Sequence, residues 1–309
     1  MTLSLVTGGA GFIGSHLATA LVEQGQSVRV LDNFSTGNVD NLAHLQDQVE
    51  VIEDDLRDAG KVLESVSGVD YIFHHAAFIS VPQSMLEPQN CFDINVVGTA
   101  NILEAARQHN VQAVVLASSA AVYGDNENMP LTEDSETRSL SPYAASKRMN
   151  EIQADLYTQA YDLPVVSLRY FNVYGPRQAP DSPYAAAIPI FAHRMLSGET
   201  PTVFGDGGQS RDFVYVQDVV RANLAASQSP HAAGRALNVC TGQEVKLLDL
   251  LDMLTELIPN APEPEFGEPR PGDIYRSLGN ASLAKQLLDF SPQTSLVDGL
   301  SQTVEWMRS

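Results

Sequence analysis

Up to about residue 170, short apolar runs rich in β-branched residues alternate with longer stretches whose apolar positions recur every three or four residues. The short runs fit strands and the longer spacing fits amphipathic helices, so the alternation predicts βαβ units on a parallel sheet wound with helices on both faces. The predicted strands are Leu3–Thr7, Ser27–Leu31, Val49–Glu53, Tyr71–His74, Ala113–Ser118 and Val165–Leu168. Two long helical patterns cover Cys91–His109 and Pro142–Tyr161, and such a pair can pack on the sheet or form a dimer face. After Tyr174 the pattern changes. Pro176, Pro180, Pro183, Pro189 and Pro201 arrive close together, then the glycine turn Gly205–Gly208, and long sheet layers stop. The remainder predicts a smaller mixed α/β lobe, with helices at Lys246–Ile258 and Ala281–Phe290 and a proline-rich stretch at Pro259–Pro271. The expected division is a first domain over residues 1–174 and a second lobe mainly over 175–309, with some later segments returning to the first.

The chain has 309 residues, 44% of them apolar, enough for a large core. No run approaches the roughly 20 apolar residues that span a bilayer, and the first ten residues lack a basic stretch followed by an apolar one, so a cytoplasmic protein is expected. Cys91 and Cys240 stand alone, without the spacing of a metal site or redox pair, and are expected in the core or on a helix face. The formal charge of −20 disfavours nucleic acid and anionic membranes as partners. An anionic nucleotide must therefore be held by local devices, namely helix N-termini and a few arginines. Four lysines stand against 38 acids, which fits adaptation to salt or simply an acidic, soluble surface.

Thr7-Gly8-Gly9-Ala10-Gly11-Phe12-Ile13-Gly14 follows the first strand directly and opens a helix with Ile13, Leu17 and Leu21 on its apolar face. Glycine serves where the turn is tight, where backbone must approach a pyrophosphate and where helix packs on strand, so the segment reads as a Rossmann-like dinucleotide turn. Asp32 ends the second strand 18 residues past Gly14, where a carboxylate can accept from a ribose 2′-hydroxyl and would repel a 2′-phosphate. NAD is therefore expected over NADP, and Asn33 brings no positive charge to reverse this. Asp54-Asp55-Leu56 ends the third strand, beside the adenine in this fold or as a solvated acidic loop. Ala76-Ala77 supplies small residues where the cofactor ribose must lie flat on backbone.

Ser141-Pro142-Tyr143-Ala144-Ala145-Ser146-Lys147 combines an N-cap, a proline at the first helical position and a tyrosine four residues before a lysine. That spacing puts both side chains on one helix face. Alone, the pair reads as a surface pair. Behind a complete dinucleotide site it reads as a proton acceptor whose phenolate is favoured by a nearby ammonium and an oxidised nicotinamide. Ser118-Ser119 leaves the fifth strand at its carboxyl end, where a hydroxyl can bridge substrate and Tyr143 or merely end the strand.

Together with Asp32-Asn33-Phe34-Ser35-Thr36-Gly37 and Leu168-Arg169-Tyr170-Phe171-Asn172-Val173-Tyr174-Gly175, these motifs resemble the extended short-chain dehydrogenase/reductase family, and within it the UDP-hexose 4-epimerases. The resemblance runs from Leu3 to about Phe290, and the motifs occur in order. It implies Ser119, Tyr143 and Lys147 as the catalytic trio, with Lys147 also on the nicotinamide ribose. It implies Gly8, Gly11, Phe12, Ile13, Asp32, Asn33, Ser35, Thr36, Gly37, Asp55, Leu56, Ala76, Ala77, Asn95, Ser118 and Tyr170 around NAD. Asn172 falls on the substrate diphosphate, Phe204 on the base, Arg211 and Arg270 on the phosphates, and Asp273 near the uridine ribose, with Ser80 on the sugar and Ala187, Ile188 and Val203 lining the same lobe. The two arginines can instead form surface ion pairs with Asp212 and Asp273. A homodimer is the expected assembly, and no metal is expected.

The resemblance also discriminates among reactions. Dehydratases of this kind carry an acid just after the catalytic hydroxyl residue, as decarboxylating relatives tend to, whereas Ala120-Ala121 can neither donate nor accept a proton. Oxidation to a uronic acid usually needs a cysteine nucleophile, and neither cysteine lies in the candidate site. Epimerisation needs only the trio and NAD: oxidation at C4, rotation of the keto sugar, and reduction from the other face. The alternative within enzymes is a nucleotide-sugar dehydratase, or an epimerase of another nucleotide sugar such as UDP-glucuronate. A non-catalytic NAD sensor is the reading outside enzymology. Counting from Asp273, the residue that gates the sugar C2 substituent is Ser277, small enough to admit an N-acetyl group or simply the end of a loop.

Overall fold

The computed structural model describes residues 2–45, 47–180, 186–269 and 274–309. The first half follows the expected alternation: β1 (Leu3–Thr7), α1 (Phe12–Glu23), β2 (Ser27–Asp32), β3 (Val49–Glu53), α2 (Ala59–Ser65), β4 (Tyr71–His74), α3 (Val81–Leu86), α4 (Pro88–Phe92), α5 (Gly98–Gln108), β5 (Ala113–Ser119), α6 (Pro142–Tyr161) and β6 (Val165–Tyr170). A π-helical turn at Asp93–Val97 joins α4 to α5, so the helix expected at Cys91–His109 begins earlier and carries an inserted turn. Later come β7 (Asn172–Tyr174), α7 (Ala187–Leu196), β8 (Thr202–Phe204), β9 (Ser210–Arg211), β10 (Phe213–Tyr215) and α8 (Val216–Ser227). The chain closes with β11 (Ala236–Val239), β12 (Val245–Lys246), α9 (Leu247–Leu257), β13 (Glu265–Gly267), α10 (Ser282–Leu288) and α11 (Leu296–Arg308).

Seven strands form one parallel sheet in the order β3-β2-β1-β4-β5-β6-β11. Successive residues of each strand face opposite sides. Val6, Val30, Phe73 and Val115 pack on one face in a cluster with Leu17 and Leu21 of α1 and Val219 of α8. Leu5, Leu31, Ile72 and Leu116 pack on the other, with Val62 of α2 and Ile102 and Leu103 of α5. Burial on both faces is why these strands read as continuous apolar runs. β11 comes from beyond the proline-rich change of pattern, so the later chain completes the sheet that the earlier chain begins. A third cluster joins Tyr174, Ile188, Phe191, Val203, Phe213, Leu250, Leu254 and Leu300. Both cysteines are buried and unpaired. No helix among the described residues is long and apolar enough to cross a membrane.

Strand order reverses at β1, which lies between β2 and β4. In an open parallel sheet the crevice for a ligand opens at that point, beyond the carboxyl ends of the strands. Thr7, His74 and Ser119 end their strands there.

Candidate active site

The turn after β1 is built by contacts that only glycine permits. Gly8 has φ +67°, and a Cβ there would lie 2.6 Å from the backbone nitrogen of Ala76, so the turn and the exit of β4 meet backbone to backbone. A Cβ at Gly14 would overlap the Gly8 carbonyl. Gly11 is the N-cap of α1 and supplies no side-chain acceptor, and the first turn holds no acid. Its orphan N–H groups and the helix dipole therefore suit a pyrophosphate. Phe12 and Ile13 turn their side chains toward the core, leaving their backbone to face a ligand. Leu56 is likewise a core side chain.

Asp32 is buried at 7% exposure. One carboxylate oxygen accepts from the Ala10 N–H and the other from the Phe34 N–H, each at 2.9 Å, and Gly37 packs against both. Each oxygen keeps a further lone pair for a ribose hydroxyl. Asn33, Ser35 and Thr36 are exposed beside it, and Phe34, Gly37, Asn38, Val39, Val51 and Glu53 line a cavity of about 650 Å³. Asp55 does not offer a free charge at this edge. The Arg57 guanidinium hydrogen-bonds it at 2.9 and 2.8 Å and, with Asn33 Nδ2 at 3.0 Å, holds the carboxyl well below the usual carboxylate range. The uncapped phosphate turn and the half-used, ribose-facing acceptor fit an adenine dinucleotide.

The catalytic candidates meet where α6 begins against the end of β5. Lys147 Nζ donates to the Ala117 carbonyl at 2.8 Å and lies 5.8 Å from the centroid of the Tyr143 ring. Burial lowers Lys147 to about 8. The Ser119 hydroxyl accepts from Ala121 N–H at 3.2 Å and stands near enough to the Tyr143 phenol to act on its ionisation. Burial raises the Tyr143 phenol, and the nearby Ser119 hydroxyl opposes that rise.

Several other candidates spend their polar atoms inside the protein. Ser118 Oγ donates to Glu151 at 2.6 Å, leaving only its backbone for a cofactor. The Asn95 carboxamide accepts from Phe78 N–H at 2.7 Å and donates to Phe78 carbonyl at 3.0 Å and to Ser146 Oγ at 2.8 Å. It thereby ties the loop carrying Ala76 and Ala77 to α6. Tyr170 Oη donates to Asn223 and bonds His75 Nε2, both at 3.0 Å, with the His75 ring stacked on it. Ser80 caps α3 through the Gln83 N–H.

Most of the described substrate candidates lie on β7, α7, β8 and β9. Asn172 N–H donates to the Asp212 carbonyl at 3.0 Å, registering β7 on β10. Arg211 donates to the Ser210 and Tyr275 carbonyls at 2.9 and 3.4 Å. The Asp212 carboxylate takes N–H groups of Thr241, Gly242 and Gly279 and the Thr241 hydroxyl. Ser277 N–H donates to Ser210 carbonyl at 3.1 Å, which sets the gate candidate beside the strand of Arg211. Ala187 opens α7, Phe204 ends β8 against Gly267, and the Ile188 and Val203 side chains are core. Arg270 and Asp273 lie outside the described residues.

Two groups were missed by the sequence reading. Glu151, on the Tyr143 and Lys147 stripe at the same spacing of four, grips Arg169 with two 2.8 Å bonds, both side chains almost fully buried. The repeated spacing was its signal. Ser84, buried without exposure, accepts from Tyr143 N–H at 3.2 Å, and nothing in the sequence marks it.

Residues 4–240 match the profile of the NAD dependent epimerase/dehydratase family. The chain belongs to this family. It is 40% identical over 310 residues to the UDP-glucose 4-epimerase of Mycolicibacterium smegmatis, covering 99% of this chain and 98% of that protein. Among solved structures it resembles UDP-N-acetylglucosamine 4-epimerase from Methanobrevibacter ruminantium M1 in complex with UDP-N-acetylmuramic acid. The TM-score is 0.95 and the identity 37%, over 99% of this chain and 98% of that one. It is equally similar to UDP-glucose 4-epimerase with UDP-glucose from Thermotoga maritima, with TM-score 0.95 and 37% identity over 99% of both chains.

Proposed function

We propose that this enzyme is an NAD-dependent 4-epimerase of UDP-hexoses, interconverting UDP-N-acetylglucosamine and UDP-N-acetylgalactosamine and also accepting UDP-glucose and UDP-galactose. The observation that carries the reading is Tyr143 beside buried Lys147, whose Nζ is fixed on the Ala117 carbonyl at the end of β5 that carries Ser119, with only Ala120 and Ala121 after it. Relatives named for UDP-glucose and for UDP-N-acetylglucosamine support the substrate class. NAD would supply a hydride acceptor and donor for C4, with its pyrophosphate held by the glycine turn and α1, its adenosine ribose by Asp32 and its nicotinamide ribose by Lys147.

Tyr143 takes the proton of the 4-hydroxyl through the Ser119 hydroxyl and later returns it to the other face of the keto sugar. Because the bare phenol is held above its ordinary value, proton removal needs the positive charge that NAD and Lys147 together bring to the pocket. Arg211, with Arg270, anchors the diphosphate while the sugar turns, so the acceptor stays in register with either face. Residues 1–174 carry the cofactor and residues 175–309 most of the substrate contacts, with β11 shared. The protein is a cytoplasmic homodimer in this reading. Its support is an outward stripe on α6, Met149, Ile152 and Leu156, with Val97 nearby, all left exposed.

The decisive experiment is incubation with UDP-, dTDP- and GDP-hexoses, followed by NMR of the anomeric region, for wild type and Tyr143→Phe. Wild type should equilibrate the UDP sugars at C4. The variant should keep its NAD and lose about a thousandfold or more in rate. A Y143F enzyme with a tenth of normal activity sinks the assignment.

A further inference from the structure

One backbone donor at the start of α6 is held by a residue on another helix. Pro142 has no N–H. The Ala144 N–H is taken by the Ser141 hydroxyl at 3.1 Å and the Ala145 N–H by the Ser141 carbonyl at 2.9 Å. Tyr143 N–H, an orphan of the first turn, is taken by Ser84 Oγ at 3.2 Å. Ser84 in turn donates to the Val81 carbonyl at 2.6 Å, so its oxygen is oriented with a lone pair toward Tyr143. It has no exposed surface, and α3, which carries it, is itself capped by Ser80.

We propose that Ser84 is a positioning residue for the proton acceptor: it fixes the backbone of Tyr143 from outside α6 and so keeps the phenol toward the end of β5, beside Ser119. The Tyr143 side chain leaves the helix one residue past a proline, where no intrahelical bond secures its own N–H. Without Ser84 the first turn can rotate the ring away from β5, whose end carries Ser119. The same contact joins α3, and with it Ser80, to the acceptor, so a shift of the Ser80 loop is felt at Tyr143.

The inference rests on Tyr143 as the proton acceptor. The test compares Ser84→Ala with Ser141→Ala, which removes a cap of the same helix whose bond falls on Ala144. Both should lower thermal stability alike. Ser84→Ala alone should lower kcat about 10- to 100-fold, the scale of a misplaced catalytic group, with KM and NAD content within about twofold of wild type. Because the nearby Ser119 hydroxyl opposes the upward push of burial on the phenol, a ring that swings away from it should also move the acid limb of the kcat profile alkaline by about half a pH unit or more. Ser84→Cys keeps the volume with a poor acceptor and should behave as Ser84→Ala. Equal losses in S84A and S141A, or an unmoved acid limb in S84A or S84C, overturn the role of Ser84. An active Y143F overturns the underlying assignment instead.

Discussion

Replacing Glu151 by Gln removes one charge from a pair whose side chains are 2% and 4% exposed, Glu151 and Arg169. Burial alone would raise the Glu151 carboxyl, but hydrogen bonds from Arg169, the Arg169 charge, and bonds from Ser118 and Arg148 outweigh it and hold the group below its usual value. The variant leaves Arg169 buried without its counter-charge. Tyr123 Oη, the Glu133 carbonyl and the Tyr123 ring face cannot neutralise it. Breaking a buried pair in this way costs about 3–5 kcal/mol. With an unfolding entropy of about 2.1 cal/mol/K per residue, that corresponds to a Tm lower by roughly 5–8 °C for a chain of this length. Glu151→Gln with Arg169→Met removes both charges and should recover most of the loss, giving a coupling energy of about 2 kcal/mol or more. Unfolding in urea at saturating NAD, for wild type, both single variants and the double, measures the cycle with cofactor linkage held constant. The folded carboxyl is depressed, so its contribution is present above the unfolded carboxyl value and fades as pH falls through the folded one. The wild-type advantage over the double variant should therefore shrink at acid pH. A Glu151→Gln cost under about 1 kcal/mol, or strictly additive single losses, refutes the reasoning.

Three further outcomes follow from the site. Asp32→Ala should weaken NAD binding about tenfold or more and relax discrimination against NADP, read by cofactor titration; native protein that carries NADP contradicts it. Ser277→Tyr should slow the N-acetylated sugars far more than UDP-glucose and UDP-galactose, in kcat/KM for the two pairs, and equal slowing removes the gate. Lys147 must be charged to favour the phenolate, and its folded value is lowered to about 8, so kcat should decline as pH rises through that region; a rate flat to pH 10 argues against its role.

How much of this was legible beforehand depends on where the information lies. The boundaries of β1, β3, β4 and α6 coincide with the sequence reading because apolar runs and the Ser141-Pro142 cap are local signals. β5 and β6 extend past their expected ends into Ser119 and Tyr170, since a polar residue at a crevice strand end breaks the apolar pattern but not the ladder. β11 was not assigned to the sheet, because its partner β6 is remote in sequence and parallel register has no local marker. The glycine turn and Asp32 were readable as chemistry because each demands a particular residue type at a particular backbone position.

The electrostatics were less legible, and for a physical reason. A lysine four residues from a tyrosine suggests a lowered phenol, yet spacing says nothing about desolvation, and in this pocket burial acts on both groups at once. It pushes the phenol up and the ammonium down, an effect that spacing along a helix does not reveal. The same Lys147 that spends a hydrogen bond on Ala117 also sets the height of α6 over β5, and Glu151, one turn on, repeats the contact through Ser118. Positioning and charge are therefore carried by one helical stripe, Tyr143, Lys147 and Glu151. The acid end of that stripe is paired with Arg169 through two 2.8 Å bonds, so its charge is spent inside the protein.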